Sequence, residues 1–530
     1  MNDVVPFAVM LAIVAGVGLA AVLSHRLGDR FPVPVSAVFL LGAAAASDVW
    51  PRLEAVPIEQ VERVVTVALV VILFDGGMQI GWRQIRANAA AIVWIGAVGT
   101  LATAIALALT AHLVFGLDWR IALLLGTALS PTDPAVVFSV LGRRQILGRS
   151  GVLLQGESGA NDPVGIALLV VLLGTTQFDW GAFGSVAGAF TVQILVGASA
   201  GLVGGLGLLW FMRTVLLPAA GLYSLRVLMC VVAIYGLTTL AHGSGFLAVL
   251  VAGIVVGDQR APYKAEIERF HSALANLAEI VAFVMLGLTI QLTGPHGVIE
   301  GHALWIGLAL AILLALVIRP MLLGALLWRV DLERGERLFV LWTGLKGAVP
   351  ILLGMFILQA QVGDGRRAYE IIFVVVAFSV IVQGGAVPAL ARRLGVPLHT
   401  VNPRPWGMNA RFEEEPESLH RFTITAGSIA DGTTVADLPS DDLWISVIIR
   451  HGRLVTVTPD TVLRIGDEVL VLAEPDTATE VAALFTSPRT NSPKQAVAEL
   501  ATAPTPPARS LRHTLLRRYL SMRMVLRVRR

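Results

Sequence analysis

Residues 156–163 read Gly-Glu-Ser-Gly-Ala-Asn-Asp-Pro, near the start of a long apolar run. On a helix, Ser158 and Asp162 stand four apart and share a face, while Glu157 and Asn161 share the adjoining one. A hydroxyl, an amide oxygen and two carboxylates within six residues are hard oxygen donors, the kind that alkali cations prefer. A carboxylate buried in a bilayer needs a counter-ion, hydrogen-bond donors or a proton. Such a group holds a cation or a proton, and not both at once. That competition is sufficient to exchange one for the other. The plainer alternative is a buried acid tied into a structural network.

Two other apolar runs are interrupted by residues that helices avoid. Ser130-Pro131-Thr132-Asp133-Pro134 sets two prolines three apart, which removes backbone donors in mid-membrane. A break of this kind persists in lipid only where its freed groups face protein or water, and its bare carbonyls are then cation ligands. Thr132 and Asp133 stand at the break. The simpler reading is a proline kink with Asp133 capping a half-helix. Gly344-Leu345-Lys346-Gly347-Ala348-Val349-Pro350 interrupts the second run and carries a charge. Lys346 neutralises dipole ends or an acid there, unless it snorkels to the interface. Asp75, in Leu73-Phe74-Asp75-Gly76-Gly77, is a secondary site acid or an interfacial charge. Arg319, before Pro320, is too costly to leave unpaired, and Glu157 is the acid expected beside it. Glu279 has no assigned role.

The elements that position these groups are membrane helices. The chain is 55% hydrophobic and 15% charged, a composition that excludes a large soluble protein. Thirteen apolar segments are predicted, at 4–24, 32–48, 62–80, 89–114, 119–141, 152–174, 183–212, 224–241, 244–258, 272–292, 302–328, 337–361 and 370–391. The first reads as a membrane helix, with a cleaved signal peptide as the alternative. Loops after odd-numbered segments carry seventeen Lys and Arg; loops after even-numbered ones carry five. This alternation predicts an N-terminus outside and a C-terminal region in the cytoplasm. The two interrupted segments are the fifth and twelfth, seven apart, so they run in opposite directions. The expected fold is therefore a polytopic α-helical membrane protein of about 13 transmembrane helices, with inverted repeats and two broken crossing helices, plus a small cytoplasmic α/β domain. The single cysteine, Cys230, excludes an intrachain disulfide.

The predicted organisation is a membrane domain at 1–396, a polar linker at 397–418, a small α/β module at 419–487 and a tail at 488–530. Within the module, Trp444–Arg450 and Leu454–Val457 read as a hairpin across His451-Gly452. The last 22 residues hold eight arginines and no acid. They are either a disordered basic tail or an amphipathic helix for an anionic leaflet.

At these residues the sequence resembles the NhaP-type cation/proton antiporters, relatives of the animal sodium/proton exchangers, over roughly residues 5–395. The carrying motifs are Gly-Glu-Ser-Gly-Ala-Asn-Asp, Pro-Thr-Asp-Pro and Gly-Leu-Lys-Gly-Ala-Val-Pro. The resemblance implies that Asp162 binds the transported ion, with Asn161, Ser158 and Thr132 around it, and that Glu157 and Arg319 form a core bridge. It places the third-helix acid, commonly glutamate, at Asp75, and puts Lys346 where arginine is usual. An Asn-Asp pair resembles the electroneutral branch, one cation for one proton. A homodimer in a cell membrane, moving by an elevator motion, is implied in the same way. Residues 419–487 resemble the TrkA C-terminal regulatory domain of potassium transport proteins, through Leu438-Pro439, Ile449-Arg450, Gly452 and Leu463-Arg464-Ile465-Gly466-Asp467-Glu468-Val469-Leu470. That tilts the cation towards K+ over Na+ and implies a small-molecule ligand at this domain.

The expected partners are monovalent cations, protons and membrane lipids, with no nucleic acid and no cofactor. A cation channel is one rival, but no Thr-Val-Gly-Tyr-Gly filter is present. An intramembrane serine protease is the other, resting on Gly156-Glu157-Ser158-Gly159 and His242. A transporter, and no enzyme, is the expectation.

Overall fold

The computed structural model describes residues 34–49, 57–141, 144–146, 149–175, 180–290, 301–328, 332–400, 419–438, 443–450, 453–472 and 478–486, with single positions at 16, 19 and 330. The chain divides into two units, Met1–Pro403 and Arg404–Arg530.

The first unit is built from helices. Among the described residues, eight are long and apolar enough to cross a bilayer: Ile58–Trp82, Trp94–Leu113, Arg149–Gly174, Gly184–Thr214, Ala220–Leu240, Lys264–Leu288, His302–Leu327 and Gly365–Arg393. Shorter apolar helices cover Val38–Asp48, Trp119–Ala128, Gly245–Gly257 and Ala348–Gln359. Twelve of the thirteen expected segments thus meet helix; the first, 4–24, lies outside the described residues apart from Gly16 and Leu19. The third segment, expected to end at residue 80, meets a break there: Gly81, where φ is 69° and ψ is 162°, parts the span Ile58–Trp82 from the helix that follows, a positive φ open to glycine. Apolar side chains that face outward, among them Leu195 at 63%, Trp210 at 65% and Leu240 at 78% exposed, need hydrocarbon or another protein surface around them.

Both proline- and glycine-bearing runs are broken where the sequence expects. One is helical over Trp119–Ala128 and Pro134–Leu141, the other over Arg334–Trp342 and Ala348–Gln359. Pro134 opens its half-helix, the position where a missing N–H costs nothing. The fourth and eleventh segments, also seven apart, share a second irregularity: wide π-type turns at Trp94–Val98 and Leu314–Ile318. Strand β1, Arg144–Ile146, pairs antiparallel with β2, Leu398–Thr400, so the segment read as linker begins with an ordered strand. The rest of that linker, 401–418, and the tail, 488–530, fall outside the described residues.

The second unit is a four-stranded antiparallel sheet with one helix, Ala478–Thr486. Its strands are β3 (Leu419–Thr423), β4 (Trp444–Arg450), β5 (Arg453–Val455) and β6 (Glu468–Leu472), in spatial order β3-β6-β4-β5. The β4–β5 hairpin forms as expected from its alternation, while His451 and Gly452 lie outside the described residues. Ile445, Ile448, Val469, Val471, Val481 and Phe485 make the core. Gly466, at φ 82°, turns the chain into β6. Beside it, Arg450 Nε and Nη2 each donate to Asp467 at 2.8 Å, and the Arg464 backbone N–H donates to the same carboxylate at 2.9 Å.

Burial works against the Asp467 charge, but the hydrogen bonds from Arg450 and Arg464 outweigh it and hold the carboxyl below its ordinary value of 3.8. A native value below the unfolded one means the pair's stabilisation is complete above the unfolded value and is lost as pH falls through the native one. Asp467→Asn is expected to loosen this sheet by roughly 2 kcal/mol at neutral pH. Hydrogen exchange of the β4 and β6 amides in the full-length protein checks it: exchange should quicken, and unchanged protection contradicts the assignment.

Candidate ion-binding site at the crossing of two broken helices

The two breaks meet. The Asp133 backbone N–H donates to the Leu345 carbonyl at 2.7 Å, joining one broken strand of chain to the other. Lys346 Nζ donates to the Ser130 and Pro131 carbonyls at 3.0 and 2.8 Å. These are carbonyls that the interrupted Trp119–Ala128 helix cannot satisfy itself. Lys346 is 2% exposed, so the geometry is that of a cation at a helix C-terminus and not of a snorkelling side chain. Its own backbone N–H donates to Ser379 Oγ at 2.9 Å.

Arg319 does for the second broken helix what Lys346 does for the first. Its Nε donates to the Leu341 carbonyl at 2.9 Å and its Nη2 to the Val340 carbonyl at 3.2 Å, both at the end of Arg334–Trp342. The same guanidinium grips Glu157 with two bonds, 2.7 Å to Oε1 and 3.0 Å to Oε2. The Glu157–Arg319 pairing expected from the scarcity of charges is therefore present. Gly344 lies against Arg319, and a Cβ there would collide with the guanidinium.

Asp133 is placed by the N-termini of the other two half-helices. Its Oδ1 accepts from the Ala135 backbone N–H at 2.8 Å, capping Pro134–Leu141. Its Oδ2 lies against Gly347, the residue that precedes Ala348–Gln359, where a Cβ would overlap the carboxylate. One acid thus sits at two positive helix ends.

The remaining polar groups come from Arg149–Gly174, which passes beside the crossing. Asn161 Nδ2 donates to Thr132 Oγ1 at 2.6 Å, and Thr132 Oγ1 donates to Glu157 Oε1 at 3.3 Å. Ser158 stands one turn before Asp162 on the same helix. Asp162 is 7% exposed, and among the described residues its Oδ1 has no hydrogen-bond donor. The Asn161 Oδ1 is likewise buried without a donor among them. A small cavity, no larger than a water molecule, opens beside Glu157 and Asn161, lined also by Thr100, Thr103, Ser130 and Arg319.

Asp75 differs. It is 6% exposed, so it is no interfacial charge, but Ser272 Oγ and Gln79 Nε2 occupy its two oxygens at 2.8 and 2.6 Å. Its hydrogen bonds reach none of Thr132, Ser158, Asn161 or Asp162. Sequence reasoning missed Ser272, Gln79 and Ser379, because a lone hydroxyl or amide in an apolar run carries no signal of its own. Among the described residues no cluster of three or more His, Cys, Asp or Glu is arranged for a metal ion.

Comparison with known proteins decides the family. The family described as sodium/hydrogen exchanger, transmembrane, matches residues 9–393. The chain belongs to that family. As a member, it is a membrane-embedded transporter that exchanges a monovalent cation for a proton. The TrkA-C domain matches residues 419–486. The K(+)/H(+) antiporter NhaP of Alkalimonas amylolytica is 32% identical over 88% of this chain and 82% of its own length. K(+)/H(+) antiporter NhaP2 of Shewanella sp. strain MR-4 is 30% identical over 88% of this chain and 81% of its own. The Na(+)/H(+) antiporter NhaH of Halobacillus dabanensis is 28% identical over 63% of this chain and 83% of its own. In fold, the chain is similar to the sodium proton antiporter MjNhaP1 from Methanocaldococcus jannaschii at pH 8, with a TM-score of 0.56, 21% identity, and coverage of 71% of this chain and 99% of that one.

The exchanger core depends on the buried Glu157–Arg319 pair. Removing one partner strands the other charge at a cost of roughly 3–5 kcal/mol, whereas replacing both with apolar residues costs far less. Thermal unfolding in detergent should show Glu157→Leu and Arg319→Leu each strongly destabilised, and the double variant less so than the sum. Additive losses contradict the pairing.

Proposed function

We propose that the chain exchanges potassium for protons one-for-one across the cytoplasmic membrane, with Asp162 as the carboxylate that the two ions share. The single observation behind the site assignment is the contrast among the buried acids. Glu157 is saturated by Arg319, Asp75 by Ser272 and Gln79, and Asp133 is engaged at two helix N-termini. Asp162 keeps a buried oxygen with no donor among the described residues. A bare carboxylate of that kind costs several kcal/mol unless a cation or proton joins it. Ser158 and Thr132 supply further oxygens for a dehydrated alkali ion, and Asn161 holds Thr132 in place.

One acid also supports one-for-one exchange. A neutral amide, Asn161, stands where a second carboxylate would carry another charge. Asp162 is neutralised equally by K+ and by H+, so the loaded site has the same charge in both directions. Potassium is favoured over sodium because the relatives named K(+)/H(+) antiporters align along 88% of the chain, through the TrkA-C unit, whereas a relative named for sodium aligns along 63%. A sodium-selective exchanger is the second reading. The domain reading is a membrane transporter over 1–396, a linker at 397–418, a regulatory unit at 419–487 that takes a small ligand, and a basic tail at 488–530. The chain works as a homodimer, its outward-facing apolar helices covered by lipid and by the second copy, with the N-terminus outside and the C-terminal unit in the cytoplasm.

Asp162→Asn is expected to abolish potassium-dependent proton release from everted vesicles, because the amide neither ionises nor replaces the lost charge. Full activity in that variant refutes the site. A second test uses voltage. Moving one net charge through 100 mV is worth about 2.3 kcal/mol, so an exchange that moves none should keep its initial rate in proteoliposomes under imposed potentials of either sign. A rate that follows the potential refutes one-for-one exchange.

A further inference from the structure

Glu279 is the acid that the site leaves out. It stands within the membrane-spanning helix Lys264–Leu288, and its side chain is half-buried. Among the described residues its hydrogen bond is to Ser36 Oγ, 3.2 Å from Oε1. A single neutral hydroxyl at that distance does not balance a carboxylate in hydrocarbon. Glu157 in the same bundle shows what balance looks like: two bonds from a guanidinium and one from a hydroxyl.

The helix that carries Glu279 is held against Val35–Val49 at both ends. Ser36 reaches Glu279 at one end, and Ser47 Oγ donates to the Ile290 carbonyl at 3.0 Å at the other. Val35–Val49 in turn touches the half-helix Pro134–Leu141, and Lys264–Leu288 touches the half-helix Ala348–Gln359. Both contacts are with the half-helices whose N-termini meet at Asp133. Glu279 therefore stands on a helix packed against one of the two half-helices that meet at Asp133, and its partner Ser36 on a helix packed against the other.

A cation site needs several oxygens around the ion, and Ser36 is the one hydroxyl that Glu279 has. A proton needs one oxygen. We propose that Glu279 carries the proton, and not the cation, between the helix crossing and one aqueous face. The inference rests on the exchange reading above and deepens it. In the step, the Glu279 carboxyl gives its proton to water, and water at the crossing in turn gives one to the Asp162 carboxylate, from which the cation leaves. Glu279 is then re-protonated from bulk water. Ser36 positions the carboxyl for this transfer.

The two ions can be separated by experiment. Exchange of labelled cation for unlabelled cation moves no proton and does not call on Glu279. In proteoliposomes, Glu279→Gln should slow cation-driven proton movement by roughly a hundredfold, a general acid–base loss, and leave labelled-cation exchange near the wild-type rate. Glu279→Asp, which keeps the carboxyl, should recover most of the proton mode. Equal loss of both modes in Glu279→Gln indicates a structural role and overturns the proposal; so does full retention of both. If Glu279→Gln does not insert, Ser36→Ala carries the test, since loss of the hydroxyl that positions the carboxyl must slow the proton mode alone. Wild-type protein that performs neither mode refutes the exchange reading itself, and is distinguishable from a failure at Glu279.

Discussion

A helix broken inside a bilayer exposes backbone N–H and C=O groups where no water exists to receive them. Here two such helices are broken at the same place, and the resulting groups satisfy each other or are met by buried charge. Leu345 accepts from Asp133 across the crossing. Lys346 and Arg319 each take two carbonyls from a half-helix C-terminus, and the Asp133 carboxylate faces two N-termini. Lys346, Arg319 and Asp133 are thereby committed to the backbone before any ion arrives. The glycines at 344 and 347 follow from this, because the charged groups lie where their side chains would be.

That commitment gives Asp162 its chemistry. The pairs and dipoles around it are closed, and its own oxygen is not. Arg149–Gly174 sets the Asp162 carboxylate beside the break, where Asn161 ties Thr132 and Thr132 ties Glu157. The chain of hydrogen bonds fixes the ligand oxygens while leaving the ion to be chosen by concentration and pH. On the proposed reading, binding is a contest between two small cations for one desolvated charge.

Much of this was legible in the residues. Proline and glycine marked the two breaks because they are the residues a helix cannot absorb. Intramembrane charge is so costly that Glu157, Asp162, Arg319 and Lys346 had to be partners in something. The hairpin of the C-terminal sheet followed from alternation. What stayed hidden was relational. Two residues 215 apart, Lys346 and Pro131, meet only because the segments cross, and spacing along one helix says nothing of that. Asp75 was read as a site acid or an interfacial charge, and its neutral partners Gln79 and Ser272 explain how it is buried at a distance from the ion-binding hydrogen bonds. Glu279 stood unassigned until its helix was seen beside the half-helices that converge on Asp133.

The central claim is that one carboxylate is shared in turn by a cation and a proton. Calorimetric titration of the purified protein with potassium, in buffers of different ionisation enthalpy, measures it directly. The account predicts that each bound cation displaces protons, approaching one per ion as pH falls and the site starts fully protonated, and that this release vanishes in Asp162→Asn. Cation binding with no proton release at any pH, or release that persists in that variant, would contradict it.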